Sequence, residues 1–153
     1  LNDFDSNAKL NPPLRTKKDM RALRTALEQG IIDVIVSDHC PQDTESKELE
    51  FDLAEFGMIN LQTAFSCALS AMTEKNLESV VESFTTHPRK ILNLKQIKIA
   101  EGQSANLTLF TSKEESSLTE KNNHSKSRNT FLFNKKLKGK VIGIVNGGKS
   151  FFN

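Results

Sequence analysis

The run Ile31-Ile32-Asp33-Val34-Ile35-Val36-Ser37 limits what this chain can fold into more than any other feature. Ile and Val are stiff at χ1 and favour strands over helices. With so little polar interruption, the run fits a parallel strand covered on both faces. What flanks it sharpens the expectation. Thr16 is placed as an N-cap with Asp19 three residues on, Met20, Leu23, Ala26 and Leu27 repeat at helical spacing, and Gly30 sits where a C-terminal cap belongs. A helix over about 17–29 is predicted. The strand then stops at Asp38-His39-Cys40-Pro41. A helix, a buried strand and a polar tip in that order form the cadence of an α/β barrel.

The remainder divides near residue 95. Before the helix, residues 1–15 are polar and turn-rich, and Pro12 and Pro13 hold the backbone extended. Residues 42–55 are rich in acid and poor in core formers, which predicts an exposed loop. From Gly57 the pattern is helical, with Met58, Leu61, Phe65, Leu69 and Met72 on one stripe. Leu77, Val80, Val81 and Phe84 mark another helix, and Pro88 suits the first turn of a short one ending near Leu94. Beyond it, Ile97-Lys98-Ile99, Ala105 to Phe110, Thr130 to Phe133, Val141 to Val145 and Ser150 to Phe152 are expected as short strands. Residues 111–129 are expected as a mobile polar segment, and Asn146-Gly147 as a hairpin turn. Residues 1–94 thus form an α/β part and residues 95–153 a small β part, with no internal repeat.

Composition removes several classes of function. Hydrophobic residues make up 37% and charged residues 26%, the balance of a folded chain. With 21 basic against 19 acidic side chains the net charge is +2, which gives no electrostatic case for nucleic acid or an anionic membrane. The basic residues from Lys121 to Lys140 are interspersed with Asn and Ser and fit a solvated loop. No apolar run approaches the ~20 residues of a membrane span. Cys40 and Cys67 make no disulfide framework, which suits a reducing cytoplasm. A start at Leu1-Asn2-Asp3, without Met, suits a fragment.

Asp38 is the most informative candidate for chemistry. Period two puts it on the side of Ile32, Val34 and Val36, and a carboxylate at the carboxyl end of a barrel strand projects into the mouth where ligands bind. There it could ligate a divalent metal or shuttle a proton, or it could merely cap the next turn. His39 points the other way and is the weaker ligand candidate; it suits supporting a ligand or packing. His87 suits a helix start, His124 the surface, and Cys40 a structural position. The three histidines lack the spacing of a preorganised ligand pair. Asn11 beside its prolines is locally a turn residue, and Gly57 either approaches a ligand through its backbone or starts a helix.

Taken together, the segments Lys9-Leu10-Asn11-Pro12-Pro13-Leu14-Arg15, Ile32 to Pro41, Glu50-Phe51-Asp52 and Phe56-Gly57 resemble the last barrel segments of bacterial dihydroorotases of the multifunctional-complex type. The intervals of 27 residues from Asn11 to Asp38 and 18 from Asp38 to Phe56 match that family. Thr86 to Leu92 resembles its Asn-Pro-Ala-Lys-Ile-Leu segment. Gly102 to Phe110 and Ser125 to Thr130 resemble its carboxy-terminal β module, so the resemblance covers nearly the whole chain.

The resemblance implies an α/β fold. Residues 1–94 would be the carboxy-terminal part of a TIM (β/α)8 barrel of the metal-dependent hydrolase type, and residues 95–153 a small β-sandwich. It implies one or two zinc ions and the reversible cyclisation of N-carbamoyl-L-aspartate to dihydroorotate in pyrimidine synthesis. Asp38 would be both a zinc ligand and the group that takes and returns the proton. Asn11 would hydrogen-bond the substrate, and Phe56 and Gly57 would hold it through backbone groups. Gln42 occupies the place of a substrate-binding His, and its amide can hydrogen-bond a carboxylate but carries no charge. The family's His-x-His pair, its bridging carboxylate or modified lysine and two further histidines are not in this chain. A barrel needs ~200 residues, so the chain alone is expected to hold no tight zinc, to be inactive, and to self-associate as a homo-oligomer through exposed apolar faces. Two other readings stand beside the enzyme: a non-catalytic scaffold partner of aspartate carbamoyltransferase, and another cyclic amidohydrolase such as an allantoinase or hydantoinase.

Overall fold

The computed structural model describes residues 4–73 and 76–152. They form two compact units, each drawing on separate stretches of sequence. One takes in the chain up to Thr25 together with Val36–Ala64 and Ser117–Lys135, and the other takes in Ala26–Ile35, Phe65–Ser116 and the chain from Lys136.

The first helix, α1, spans Lys17–Glu28 and bears out the sequence expectation. At its start Thr16 N–H and Oγ1 donate to Asp19 Oδ2 at 3.1 and 2.7 Å, and Asp19 N–H donates back to Thr16 Oγ1 at 3.3 Å. At its end Gly30 adopts φ 68°. Gly30 N–H then bonds Leu27 O and Ile31 N–H bonds Ala26 O, the paired bonds of a Schellman ending.

The second unit is held by an apolar cluster. Leu27, Ala68, Leu69, Met72 and Val80 are buried together, with Ile32, Ile35, Phe65, Leu77 and Phe84 against them. The helices α3 (Ala64–Ala71), α4 (Leu77–Phe84) and α5 (Thr86–Ile91) follow a four-residue α2 (Thr44–Lys47) that belongs to the first unit. Three antiparallel strands, β1 (Leu107–Ser116), β2 (Leu137–Asn146) and β3 (Lys149–Phe152), make a meander in the order β1-β2-β3. Its second turn is the two-residue loop Gly147-Gly148 between the paired Asn146 and Lys149, with φ of 57° and 75°. Such positive angles suit glycine and match the twist of a hairpin. Helix α3 seats on β2 at Gly139, where an added Cβ would lie 2.6 Å from Leu69 Cδ1. Ser66 Oγ donates to Gly139 O at 3.3 Å, and Lys138 N–H donates to Ser70 Oγ at 2.7 Å.

Several expectations are corrected. The stripe from Gly57 becomes helical only at Ala64, because Met58 is bridged in parallel to His39 and Ile59 N–H bonds Asn129 O. Ile31–Ser37 forms no strand: it begins at a bend and belongs to no sheet. A strand needs a neighbour for its ladder, and among the described residues the only such link here is Ile35 N–H to Ser83 O at 3.2 Å. Residues 97–99 form no strand, and Ile99 is 87% exposed. At 130–133 a single bridge from Phe133 to Leu118 replaces the expected strand. The polar stretch 111–129 carries regular structure in its first half and near its middle, where β1 runs on to Ser116 and a 3-10 turn forms at Glu120–Asn122. The basic stretch from Lys121 to Lys140 is not all loop, since β2 begins at Leu137. Among the described residues the β part is one three-stranded sheet, and no second sheet faces it.

Candidate active site

The expected site residues all lie in the first unit. Asp38 closes the 31–37 run at φ 45°, a left-handed backbone that ends the alternation which would have aligned it with Val36. Its side chain is exposed, and Val36 itself is 74% exposed. Next to it, His39 Nδ1 accepts the N–H groups of Asn60 and Leu61, both at 3.0 Å. With its lone pair taken up by two N–H donors, Nδ1 is not open to a metal. These bonds tie His39 to the Asn60–Leu61 backbone.

The chain brings three of its separated motifs to one place. Gly57 N–H donates to Lys9 O at 2.9 Å, which joins the turn at 56–57 to the segment leading into the exposed Asn11. Gln42 Nε2 donates to Phe56 O at 3.0 Å and lies 3.6 Å from Cys40 Sγ. Gln42 thus spends its amide nitrogen on the turn. Gly57 has φ 109°, and a Cβ there would stand 2.6 Å from Cys40 Cβ and Sγ, so only glycine lets the turn approach the strand tip.

Two residues that sequence reasoning passed over organise this neighbourhood. Asn129 is buried; its Nδ2 donates to Cys40 O at 3.0 Å and Gly57 O at 3.1 Å, and its Oδ1 accepts Gln42 N–H at 3.2 Å. Lys47 is 4% exposed, and its Nζ donates to Glu55 O at 2.8 Å and Gly57 O at 3.2 Å. Burial, followed by the nearby Lys9 charge, holds the Lys47 ammonium below the usual lysine range. No local pattern flags either residue, since Lys47 lies in an acidic stretch and Asn129 in a polar one.

Among the described residues no three His, Cys, Asp or Glu side chains stand close enough to hold a metal. Zinc sites take three or four protein ligands, so Asp38 does not make one by itself. A recess of about 260 Å³ opens beside His39, lined also by Ile59, Leu61, Leu118 and His124, but none of Asn11, Asp38, Gln42, Phe56 or Gly57 lines it. No helix among the described residues is long and apolar enough to cross a membrane.

The sequence of the chain matches a known family. The model of the Amidohydrolase family fits residues 6–150, almost the entire chain. The chain belongs to the amidohydrolase family. Among curated amidohydrolase relatives it is 40% identical over 149 residues to a protein named dihydroorotase from Caldicellulosiruptor saccharolyticus. To another of that name, from Aquifex aeolicus, it is 41% identical over 149 residues. These alignments take in 95% and 96% of the chain but only 35% of each relative, so the chain spans about a third of their length. Among solved structures, a D-hydantoinase from Thermus sp. superposes with a TM-score of 0.81 at 24% identity, over 95% of this chain and 33% of that one. An L-hydantoinase from Arthrobacter aurescens gives 0.78 at 21% identity, over 97% and 36%. The chain therefore has the fold of the matching third of these hydantoinases.

Proposed function

We propose that this chain is the carboxy-terminal portion of a dihydroorotase, which interconverts N-carbamoyl-L-aspartate and dihydroorotate in cytoplasmic pyrimidine synthesis. The observation that carries the reading is the meeting of the Lys9–Asn11, Cys40–Gln42 and Phe56–Gly57 segments, in a chain about 40% identical to proteins of that name. Residues 1–94 complete a TIM barrel with polypeptide beyond this chain, and residues 95–153 contribute to a β-sandwich. Asn11, Gln42, Phe56 and Gly57 bind the substrate. Asp38 accepts the proton of the attacking water and returns it to the leaving nitrogen, as a carboxylate in hydrogen-bond reach does. Asp38 is also one ligand of the one or two zinc ions of the complete protein, whose remaining ligands this chain does not supply.

A second reading is favoured by one residue. Gln42 is neutral, and its amide nitrogen is engaged with Phe56 O. A protein that binds a dianionic substrate poorly at this point suits a non-catalytic homo-oligomeric scaffold for aspartate carbamoyltransferase. Assay of the complete protein with dihydroorotate, hydantoin and allantoin separates the readings. Turnover of dihydroorotate alone is expected, and turnover of either other ring in its place overturns the assignment. No turnover of any of the three, with zinc bound, favours the scaffold. The chain by itself is expected to turn over none.

A further inference from the structure

Burying an ammonium is costly unless its hydrogen bonds are made. Lys47 makes them with backbone: among the described residues its Nζ bonds the carbonyls on either side of Phe56 rather than a carboxylate. The Phe56 carbonyl between them is held by Gln42, and the Gly57 carbonyl is held a second time by Asn129. Three successive carbonyl oxygens, of residues 55, 56 and 57, are thus bonded by side chains.

In a planar trans peptide the C=O and the N–H point in opposite directions. The Phe56–Gly57 peptide shows this: its oxygen meets Gln42 and its N–H meets Lys9 O. In the preceding peptide, Glu55 O faces buried Lys47, so Phe56 N–H is turned the other way. It has no acceptor among the described residues. A cation on the carbonyl of an amide also polarises the whole group and makes its N–H a better donor.

We propose that Lys47 is a positioning residue that fixes and polarises the Glu55–Phe56 peptide, so that Phe56 N–H is presented as a strengthened donor to a carboxylate of the ligand. The inference rests on the reading of Phe56–Gly57 as a substrate-binding turn and adds what aims it. Gln42 and Asn129 hold the next two carbonyls and keep the turn from rotating.

The test compares Lys47→Met, which keeps the stem and removes charge and donors, with Lys47→Gln, which keeps a donor without the charge. Both are made in the complete protein. Steady-state kinetics with dihydroorotate should show KM raised about tenfold in Lys47→Met with kcat within about twofold, and a smaller rise in Lys47→Gln. The Phe56 amide resonance should move upfield in both variants without ligand, and in the unaltered protein it should move downfield when dihydroorotate binds. A fall in kcat with KM unchanged overturns the proposal, and so does an unaltered Phe56 resonance in a folded variant. If neither variant folds, the unaltered protein decides, since a Phe56 amide that ignores bound dihydroorotate refutes the inference. Failure to bind dihydroorotate at all refutes the functional reading instead. The ligand-free resonance of Lys47→Met then tests the strut by itself.

Discussion

The two units of this chain both bury apolar side chains, but they differ in what else holds their backbone. In one, Leu27, Leu69, Met72 and Val80 bury an apolar cluster beside a hairpin meander. In the other, side chains reach across the sequence to backbone groups: Asn129 to Cys40 and Gly57, Lys47 to Glu55 and Gly57, Gln42 to Phe56, and Ser6 Oγ to Lys47 O at 2.6 Å. Apolar burial is non-directional and tolerates small shifts, whereas a network of buried hydrogen bonds fixes orientation and is costly when half made. The unit that carries the expected site is the one built for orientation. A turn meant to aim backbone groups at a ligand needs that kind of support.

The largest effect should come from the apolar unit. Leu69 is buried in the cluster and its Cδ1 also fills the space left by Gly139. Leu69→Ala removes apolar area and leaves a cavity, so it should cost about 3 kcal/mol in denaturant unfolding of the complete protein. Hydrogen exchange should lose protection in α3 and β2 while the Phe56–Gly57 turn is unchanged. Equal loss of protection in both units would erase the distinction between them.

Asn129→Ala probes the polar unit and should cost about 2 kcal/mol, because it strands the Cys40 carbonyl and the Gln42 N–H and leaves the Gly57 carbonyl to Lys47 alone. Here exchange should speed at Gly57 and Gln42, with the amides of β1 and β2 unaffected. A variant as stable as the parent would mean that water replaces the amide easily and that the turn is not held by this network.

The same contrast explains what the sequence made legible. Helix α1 could be read at both ends because capping is local: Thr16 and Asp19 at one end and Gly30 at the other are neighbours in sequence. The cluster could be read from the spacing of Leu69, Met72, Leu77 and Val80. The lone run at 31–37 was not legible, because its composition favours a strand but pairing is decided by a partner elsewhere. The supports of the turn were illegible for the same reason. Asn129 lies 89 residues from Cys40, and nothing near either residue marks the bond. The stretch 42–55, read as an exposed loop, hid Lys47, since a lysine among acids is usually solvated and here is buried against carbonyls.

The smallest effect belongs to the α1 cap and has a defined sign with pH. Hydrogen bonds from the Thr16 side chain and then the Thr16 backbone hold the Asp19 carboxyl below the ordinary value of 3.8. A carboxyl whose pKa is lowered on folding contributes stability above the unfolded pKa, and loses it as pH falls through the folded one. The cap is fully exposed, so solvent screens it and the contribution is slight. Circular dichroism of the complete protein should therefore show Thr16→Val slightly less stable than the parent at neutral pH. The gap should narrow as the solution is taken below pH 3.8 and Asp19 is protonated in both. A gap that stayed constant through that range would assign the loss to the Thr16 hydroxyl on the Asp19 N–H alone, and remove the carboxylate from the account of how α1 starts.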